Sequence, residues 1–309
     1  MTDTLNILVL FGGQSPEHEV SRKSAAFIAD TLSRSTAYNV ILVGITKQGE
    51  WKYYPGDTGA MRDGSWENDP GLERAFLTVD TRDAALYFPD AEQDPLSIDC
   101  VFPVLHGSNG EDGRLQGMLE MSGVPFVGCG MLSSALAMDK SFANKIMDYH
   151  GIPHTKWRSV DLSSYCNNKD SELDRIGSEL DFPLFVKPAN TGSSIGISKV
   201  ANREELAAAI SLAFEYDHTI VLENAVIGRE LEVSALGSAG DLTLSVVGEI
   251  VPDRQFYDYA AKYEDSASKL VIPAELTEAE LKEVNKYAAQ IFTALNCYGM
   301  ARIDFFLAD

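Results

Sequence analysis

The chain has no CxxC pair, no apolar run near the roughly 20 residues that a membrane helix needs, and no charged-then-apolar leader pattern. Its four cysteines, Cys100, Cys129, Cys166 and Cys297, stand far apart, and the expectation is a soluble protein of a reducing cytoplasm. Neither GxxxxGK[ST] nor GxGxxG occurs, which disfavours a P-loop or a dinucleotide fold. Basic residues are scarce, 25 Lys and Arg against 46 Asp and Glu, for a formal net charge of -21. Nucleic acids and acidic membrane surfaces recruit clustered Lys and Arg, so this balance favours small-molecule chemistry over either.

What is present is a core. With 309 residues, 45% of them hydrophobic, the chain can bury two or three subdomains. Residues 6–11 (NILVLF) form an apolar run closed by Gly12-Gly13, and a helix-compatible segment follows over 17–32. Runs at 39–45 (NVILVGI) and 99–105 (DCVFPVL) would complete an open parallel sheet with crossovers. Between them, 47–95 shows no sustained periodicity and is expected to be an insertion without assigned function.

Residues 131–149 suggest one helix, ended by Gly151-Ile152-Pro153. Strands are expected at 182–187, 195–200, 219–223, 230–236, 242–251 and 299–307. Asn202 with Glu205, and Thr277 with Glu280, have the spacing of helix-starting capping boxes. After the second, Leu281, Val284, Ala288, Ile291 and Leu295 keep the 3,4 spacing of a buried stripe.

Residues 190–196 (NTGSSIG) join two expected strands with small side chains that let backbone amides close over a phosphate, although many plain hairpins look the same. Lys187 ends the preceding apolar strand, where an unmet charge is expensive unless an anion meets it. Lys140 is a second lysine in an apolar stretch, with a solvated surface charge as its plainer reading. His106 sits at the C-terminal end of an expected strand, where open α/β sheets bind ligands. His18, His150, His154 and His218 have no metal-ligand spacing and are expected to be structural or on the surface.

Six blocks in order carry a resemblance: FGGQSPEHEVS (11–21), LHGSNGEDGRLQGMLE (105–120), MDK (138–140), FVKPANTGSSIGISKV (185–200), FYDYAAKY (256–263) and ARIDFF (301–306). In these the sequence resembles the D-alanine–D-alanine ligases. The resemblance implies an ATP-grasp fold, of α/β and α+β class, preceded by an open parallel-sheet subdomain. The parts would be 1–128, 129–222 and 223–309. It implies ATP and Mg²⁺ (or Mn²⁺) as cofactors, D-alanine as substrate, a homodimer, and ligation of two D-alanines through an acylphosphate for peptidoglycan precursors.

By the same resemblance Lys140 and Lys187 contact the ATP phosphates and Ser193-Ser194 close over them. Glu223, Val226 and Glu230 meet the adenine and ribose; Ala225 stands where many relatives carry an aromatic. Glu17 holds the first D-alanine's ammonium, His106 lies beside its carboxylate, and Glu17, Ser193 and Tyr263 form a hydrogen-bonded triad. Lys262, on a loop spanning 252–273, reaches the γ-phosphate, Arg302 stabilises the transferring phosphate and the oxyanion, and Asp304 is a magnesium ligand. The Lys262-Tyr263 pair implies an amine nucleophile, hence a dipeptide product. The family's Glu-x-Asn metal pair does not precede Asp309, so a fragment of an ordinary ligase is the first expectation. If the chain were complete, it would be nearly inactive, and a nucleotide-binding pseudo-ligase is the alternative.

Overall fold

The computed structural model describes residues 4–192, 195–251 and 269–308, arranged in two compact units, Met1–Ala135 and Leu136–Asp309. In the first unit the strand Leu5–Gly12 lies between Tyr38–Ile45 and Cys100–Pro103, parallel to both, with Trp51–Tyr53 antiparallel at the edge. Its residues alternate between two cores. Leu8 and Leu10 pack with Val43, Leu115 and Leu119, whereas Ile7, Val9 and Phe11 pack with Ala25, Ala26 and Ala29 of the helix His18–Leu32. A strand buried on both faces must be apolar at every position, which explains the unbroken run.

The segment 47–95 belongs to this core and is not an appendage. It contains the helix Thr58–Asp63, the 3-10 turn Ser65–Asn68 and a small sheet of Phe76–Leu77, Ala85–Tyr87 and Leu96–Ser97. Trp66, 1% exposed, lies edge-on to Phe11 at 4.8 Å between ring centroids. Gly44 makes room for it, since a Cβ there would stand 2.3 Å from the indole. Short elements hide this packing from periodicity, because each is too brief to repeat.

The second unit holds two sheets. The first runs Ser198–Val200, Leu184–Pro188, Thr219–Asn224, Trp157–Asp161, all antiparallel. Leu184, Val186, Ile220 and Leu222 face the helices Lys169–Glu179 and Arg203–Ala213, meeting Ile176, Leu206 and Ile210. Asn202 caps the latter helix by accepting from the amides of Glu204 and Glu205.

In the second sheet Arg229–Ser238 is central, paired from Arg229 to Gly237 with Gly299–Leu307 and on its other side with Asp241–Leu244 and Gly248–Val251, beyond which lies Lys269–Val271. The expected strand over 242–251 is thus two. The helix Glu278–Ala294 starts at the Thr277–Glu280 capping box and covers one face, packing Val284, Ala288 and Phe292 on Leu231, Val233 and Ile303. Leu281, at the open end of the expected stripe, is 41% exposed. Among the described residues no helix is long and apolar enough to cross a membrane.

Trp66→Ala removes a fully buried side chain from between Phe11, Tyr54 and Gly44. Urea unfolding is expected to show the first unit destabilised by about 3–5 kcal/mol.

Candidate functional site

In the first unit the sheet order reverses between Leu5–Gly12 and Cys100–Pro103, and ligands of open α/β sheets settle beyond strand ends at such a point. There the chain turns sharply. Gly12 has φ +87°, and a Cβ on it would stand 2.3 Å from the Ile45 carbonyl oxygen, so only glycine fits. Glu17 follows in a tight turn, its amide donating to Ser15 Oγ at 3.2 Å, and it is 7% exposed. Gly107, at φ +66°, leaves space for its carboxylate, since a Cβ would come within 2.7 Å of Glu17 Oε2. Ser21 Oγ accepts from the Gly12 amide at 2.8 Å and donates to the Val104 carbonyl, tying both strand ends together.

His18 is structural. Its Nδ1 lies 2.7 Å from the Gly13 carbonyl oxygen and its Nε2 2.6 Å from Glu67 Oε1. Glu67, from the segment without an assigned role, therefore braces the loop that carries Glu17. Nothing in the spacing of the sequence joins these two residues. A cleft of about 250 Å³ opens beside this loop, lined by Gly13, Gln14, Leu105, His106, Asn109 and Arg114 among others. His106 Nδ1 is 3.7 Å from Glu111 Oε1, while Glu111 Oε2 accepts from the Gly107 amide at 2.8 Å.

The helix expected over 131–149 is broken. Met131–Met138 ends and Lys140–His150 begins, because Asp139 turns extended and its carboxylate accepts from the amides of Ser141 and Phe142. This places Lys140 at a helix start, not inside a helix. Its Nζ donates to the carbonyls of Thr191 at 2.6 Å and of Pro188 and Ala189 at 3.3 Å, the root of the small-residue hairpin. Burial first, and repulsion by Lys187 second, push the Lys140 ammonium down to about 8.

Lys187 is met by a carboxylate of the chain itself. Its Nζ is 2.5 Å from Glu223 Oε2, on the adjacent strand, and Asn144 Nδ2 donates to Glu223 Oε1 at 3.4 Å. Side-chain exposures of 22% and 12% make this a largely desolvated pair. Glu223 and Glu230, expected on neighbouring strands, lie on successive strands of different sheets, joined through the partly buried Val226.

On the face opposite the helix Glu278–Ala294 stand Glu230, Glu232, Arg302 and Asp304. Arg302 donates to Asp304 through Nε at 2.8 Å and a terminal nitrogen at 3.0 Å, and its Nε is 3.4 Å from Glu232 Oε2. Glu232 was missing from the sequence expectations. Its signal was two-residue alternation with Glu230, which puts both on one face. Ser193, Ser194, Lys262 and Tyr263 lie outside the described residues.

Among the described residues no group of three or more His, Cys, Asp or Glu is placed to hold a metal alone. Asp304 does suit Mg²⁺, which is commonly held by one or two carboxylates together with substrate phosphates, and Glu232 stands directly opposite it in register.

Comparison with known proteins bears on both units. Residues 6–129 match the family model described as the N-terminus of D-ala D-ala ligase, and 146–309 match its C-terminus. A D-alanine–D-alanine ligase from Caldicellulosiruptor bescii is 46% identical over 304 residues, covering 98% of this chain and 82% of the relative. One from Acetivibrio thermocellus is 40% identical over 319 residues, with 99% and 84% covered. Among solved structures, the VanG D-Ala:D-Ser ligase from Enterococcus faecalis superposes with a TM-score of 0.88 at 36% identity, covering 99% of this chain and 87% of that one. The D-alanine-D-alanine ligase from Coxiella burnetii gives 0.82 at 30%, with 99% and 81% covered.

Lys140 gives a prediction with a definite sign. Between the folded value of about 8 and the ordinary 10.5 the unfolded chain binds the additional proton, so this lysine's contribution to stability rises with pH across that window. The unfolding free energy of the chain, less that of Lys140→Met, is expected to increase from pH 7.5 to pH 10. A flat difference would show that the ammonium is not desolvated.

Proposed function

The chain belongs to the D-alanine–D-alanine ligase family, of ATP-grasp fold, and from that premise we propose that it joins two D-alanines with conversion of ATP to ADP and phosphate. The observation that carries the reading is the charge cluster at the hairpin root. Lys140 is held by three carbonyls of 188–191 and Lys187 by Glu223, so two cations stand at the root of the small-residue segment 190–196, a sequence suited to phosphates.

In this reading Lys140 and Lys187 align the α- and β-phosphates, with Ser193, Ser194 and Lys262 assigned to the phosphates by family position. Glu223, Val226 and Glu230 take the adenine and ribose, and Glu17 takes the ammonium of the first D-alanine, with His106 near its carboxylate. An oxygen of that carboxylate attacks the γ-phosphorus, ADP leaves, and an acylphosphate results. The second D-alanine's amine then attacks the acyl carbon, losing a proton, and inorganic phosphate departs. A carboxylate is a poor electrophile, so the protein's task is positioning and charge neutralisation.

Arg302 supplies that neutralisation. Its guanidinium is exposed on the polar sheet face, fixed by Asp304 and Glu232, and suits the transferring phosphoryl group and the later oxyanion. Asp304 would hold Mg²⁺ or Mn²⁺, which when bound offsets the charge of the β- and γ-phosphates. Glu17, Ser193 and Tyr263 form the substrate latch by family position.

The reading extends to a cytoplasmic homodimer contributing to peptidoglycan precursors, with the exposed Phe27 and Met121 of the first unit as its candidate contact surface. The parts of the chain are proposed as 1–128, 129–222 and 223–309. A silent nucleotide binder is not favoured over ligation, because relatives named as ligases match over 97–99% of the chain in both halves. The likeness to a D-Ala:D-Ser ligase makes D-serine the competing second substrate.

The deciding measurement is phosphate release from Mg-ATP with the product identified by mass spectrometry, in this chain and in a version carrying the relatives' full length. D-alanine-dependent release with D-alanyl-D-alanine as product is expected, and Arg302→Ala is expected to lower kcat by about 10²–10³-fold. ATP binding without D-alanine-dependent release in either version would sink ligation, and a preference for D-serine would reassign the second substrate.

A further inference from the structure

Arg302 and Asp304 are assigned separate tasks in the proposed reaction, yet the structure binds them to each other. Both Asp304 oxygens accept from the guanidinium, at 2.8 and 3.0 Å. A carboxylate held in that fork does not offer its lone pairs freely to a cation, and an arginine held there is half turned from a phosphate. Metal binding by Asp304 therefore competes with Arg302.

Glu232 stands where that competition can be relieved. It is the register partner of Asp304 on the adjacent strand, and its Oε2 is 3.4 Å from the same Nε that Asp304 engages. Its side chain is 23% exposed against 61% for Asp304, so it is the less solvated acid. On its other side Glu232 faces Gly248, its register partner on the strand Gly248–Val251.

We propose that Glu232 is a positioning residue: it takes over the Arg302 guanidinium when Asp304 turns to the metal, leaving one arginine edge for the phosphoryl group. The inference rests on the ligase reading and adds to it a residue that acts through Arg302 and does not touch substrate. No covalent step is involved; one ion pair is exchanged for another. Cross-strand opposition makes the exchange local, requiring rotation of side chains with the nine-residue backbone ladder unchanged.

The test reads metal affinity directly. Mn²⁺ binding to the complex of this chain with ADP is followed by electron paramagnetic resonance for the unaltered chain, Glu232→Gln, Arg302→Ala and the double variant. Glu232→Gln is expected to weaken Mn²⁺ binding about tenfold, the low end of what outer-shell partners contribute. In the Arg302→Ala background the same change is expected to cost about twofold or less, because the competitor is gone. Glu232→Asp is expected to recover part of the affinity, and ADP affinity without metal is expected to be unchanged.

A full tenfold loss persisting in the Arg302→Ala background would make Glu232 a metal ligand and overturn the proposal. So would unaltered Mn²⁺ affinity in Glu232→Gln, or a parallel fall of metal-free ADP affinity and melting temperature, which marks a merely structural role. If the unaltered chain bound no ADP, the nucleotide reading and this inference would fall together, whereas the first three outcomes remove the inference alone.

Discussion

The two-residue repeat of a β-strand is the constraint on which the second unit depends. The helices Lys169–Glu179 and Arg203–Ala213 cover one face of its first sheet and Glu278–Ala294 one face of its second, so the parity of a residue decides which side of the sheet it takes. In the first sheet Leu184, Val186, Ile220 and Leu222 go beneath the helices, and Lys187 and Glu223 emerge on the other side. In the second, Leu231, Val233 and Ile303 go beneath Glu278–Ala294, and Glu230, Glu232, Arg302 and Asp304 emerge. A slip of one residue in the ladder between Arg229–Ser238 and Gly299–Leu307 would turn some of these charges into the core. That cost, several kcal/mol for each unpaired ion, is what locks the register and with it the site.

Parity delivers charges to a face, and electrostatics then decides how they stand. A cation drawn partly out of water needs an opposite charge or a dipole. Lys140 has three carbonyls, Lys187 has Glu223, and Arg302 has Asp304 and Glu232. Lys140 meets dipoles only, and burial first and repulsion by Lys187 second push its ammonium down to about 8. Each partner also fixes a geometry: Lys140 pins the hairpin root, and the Arg302 fork sets the plane of the guanidinium.

The same logic separates what could be seen in the sequence from what could not. Continuous apolar runs, the Thr277–Glu280 box and the ordered family blocks are local patterns, and the strands, the helix start and the family followed from them. The partner of a charge is a long-range fact. Lys187 asked for an anion, but the pairing with Glu223, 36 positions away, depends on sheet order. Glu67 bracing His18 and Trp66 filling the space over Gly44 come from a stretch of short elements with no repeat to detect. Asp139 caps the second of two helices from within an otherwise apolar stretch, so the sequence of 131–149 reads as one helix. Glu232 alternates with Glu230 along one strand, but the family resemblance implies roles only at its own motif positions.

An acidic protein that takes a polyphosphate must do so by exchange. With a formal charge of -21 the distant field repels such a ligand, and physiological salt confines that repulsion to within about 8 Å. Inside that range Lys187 and Arg302 are already paired with the chain's own carboxylates, so in the ligase reading a phosphate entering beside either would displace Glu223 or Asp304 from part of its pairing. A displaced carboxylate left alone in a closing site would oppose binding by as much as the new contact favours it. Glu223 keeps the Asn144 amide at 3.4 Å, and Asp304 faces the position that a phosphate-bound divalent cation would occupy in the ligase reading. Each anion displaced therefore has a donor or a cation to turn to, and the number of unmet charges stays nearly constant as the ligand enters.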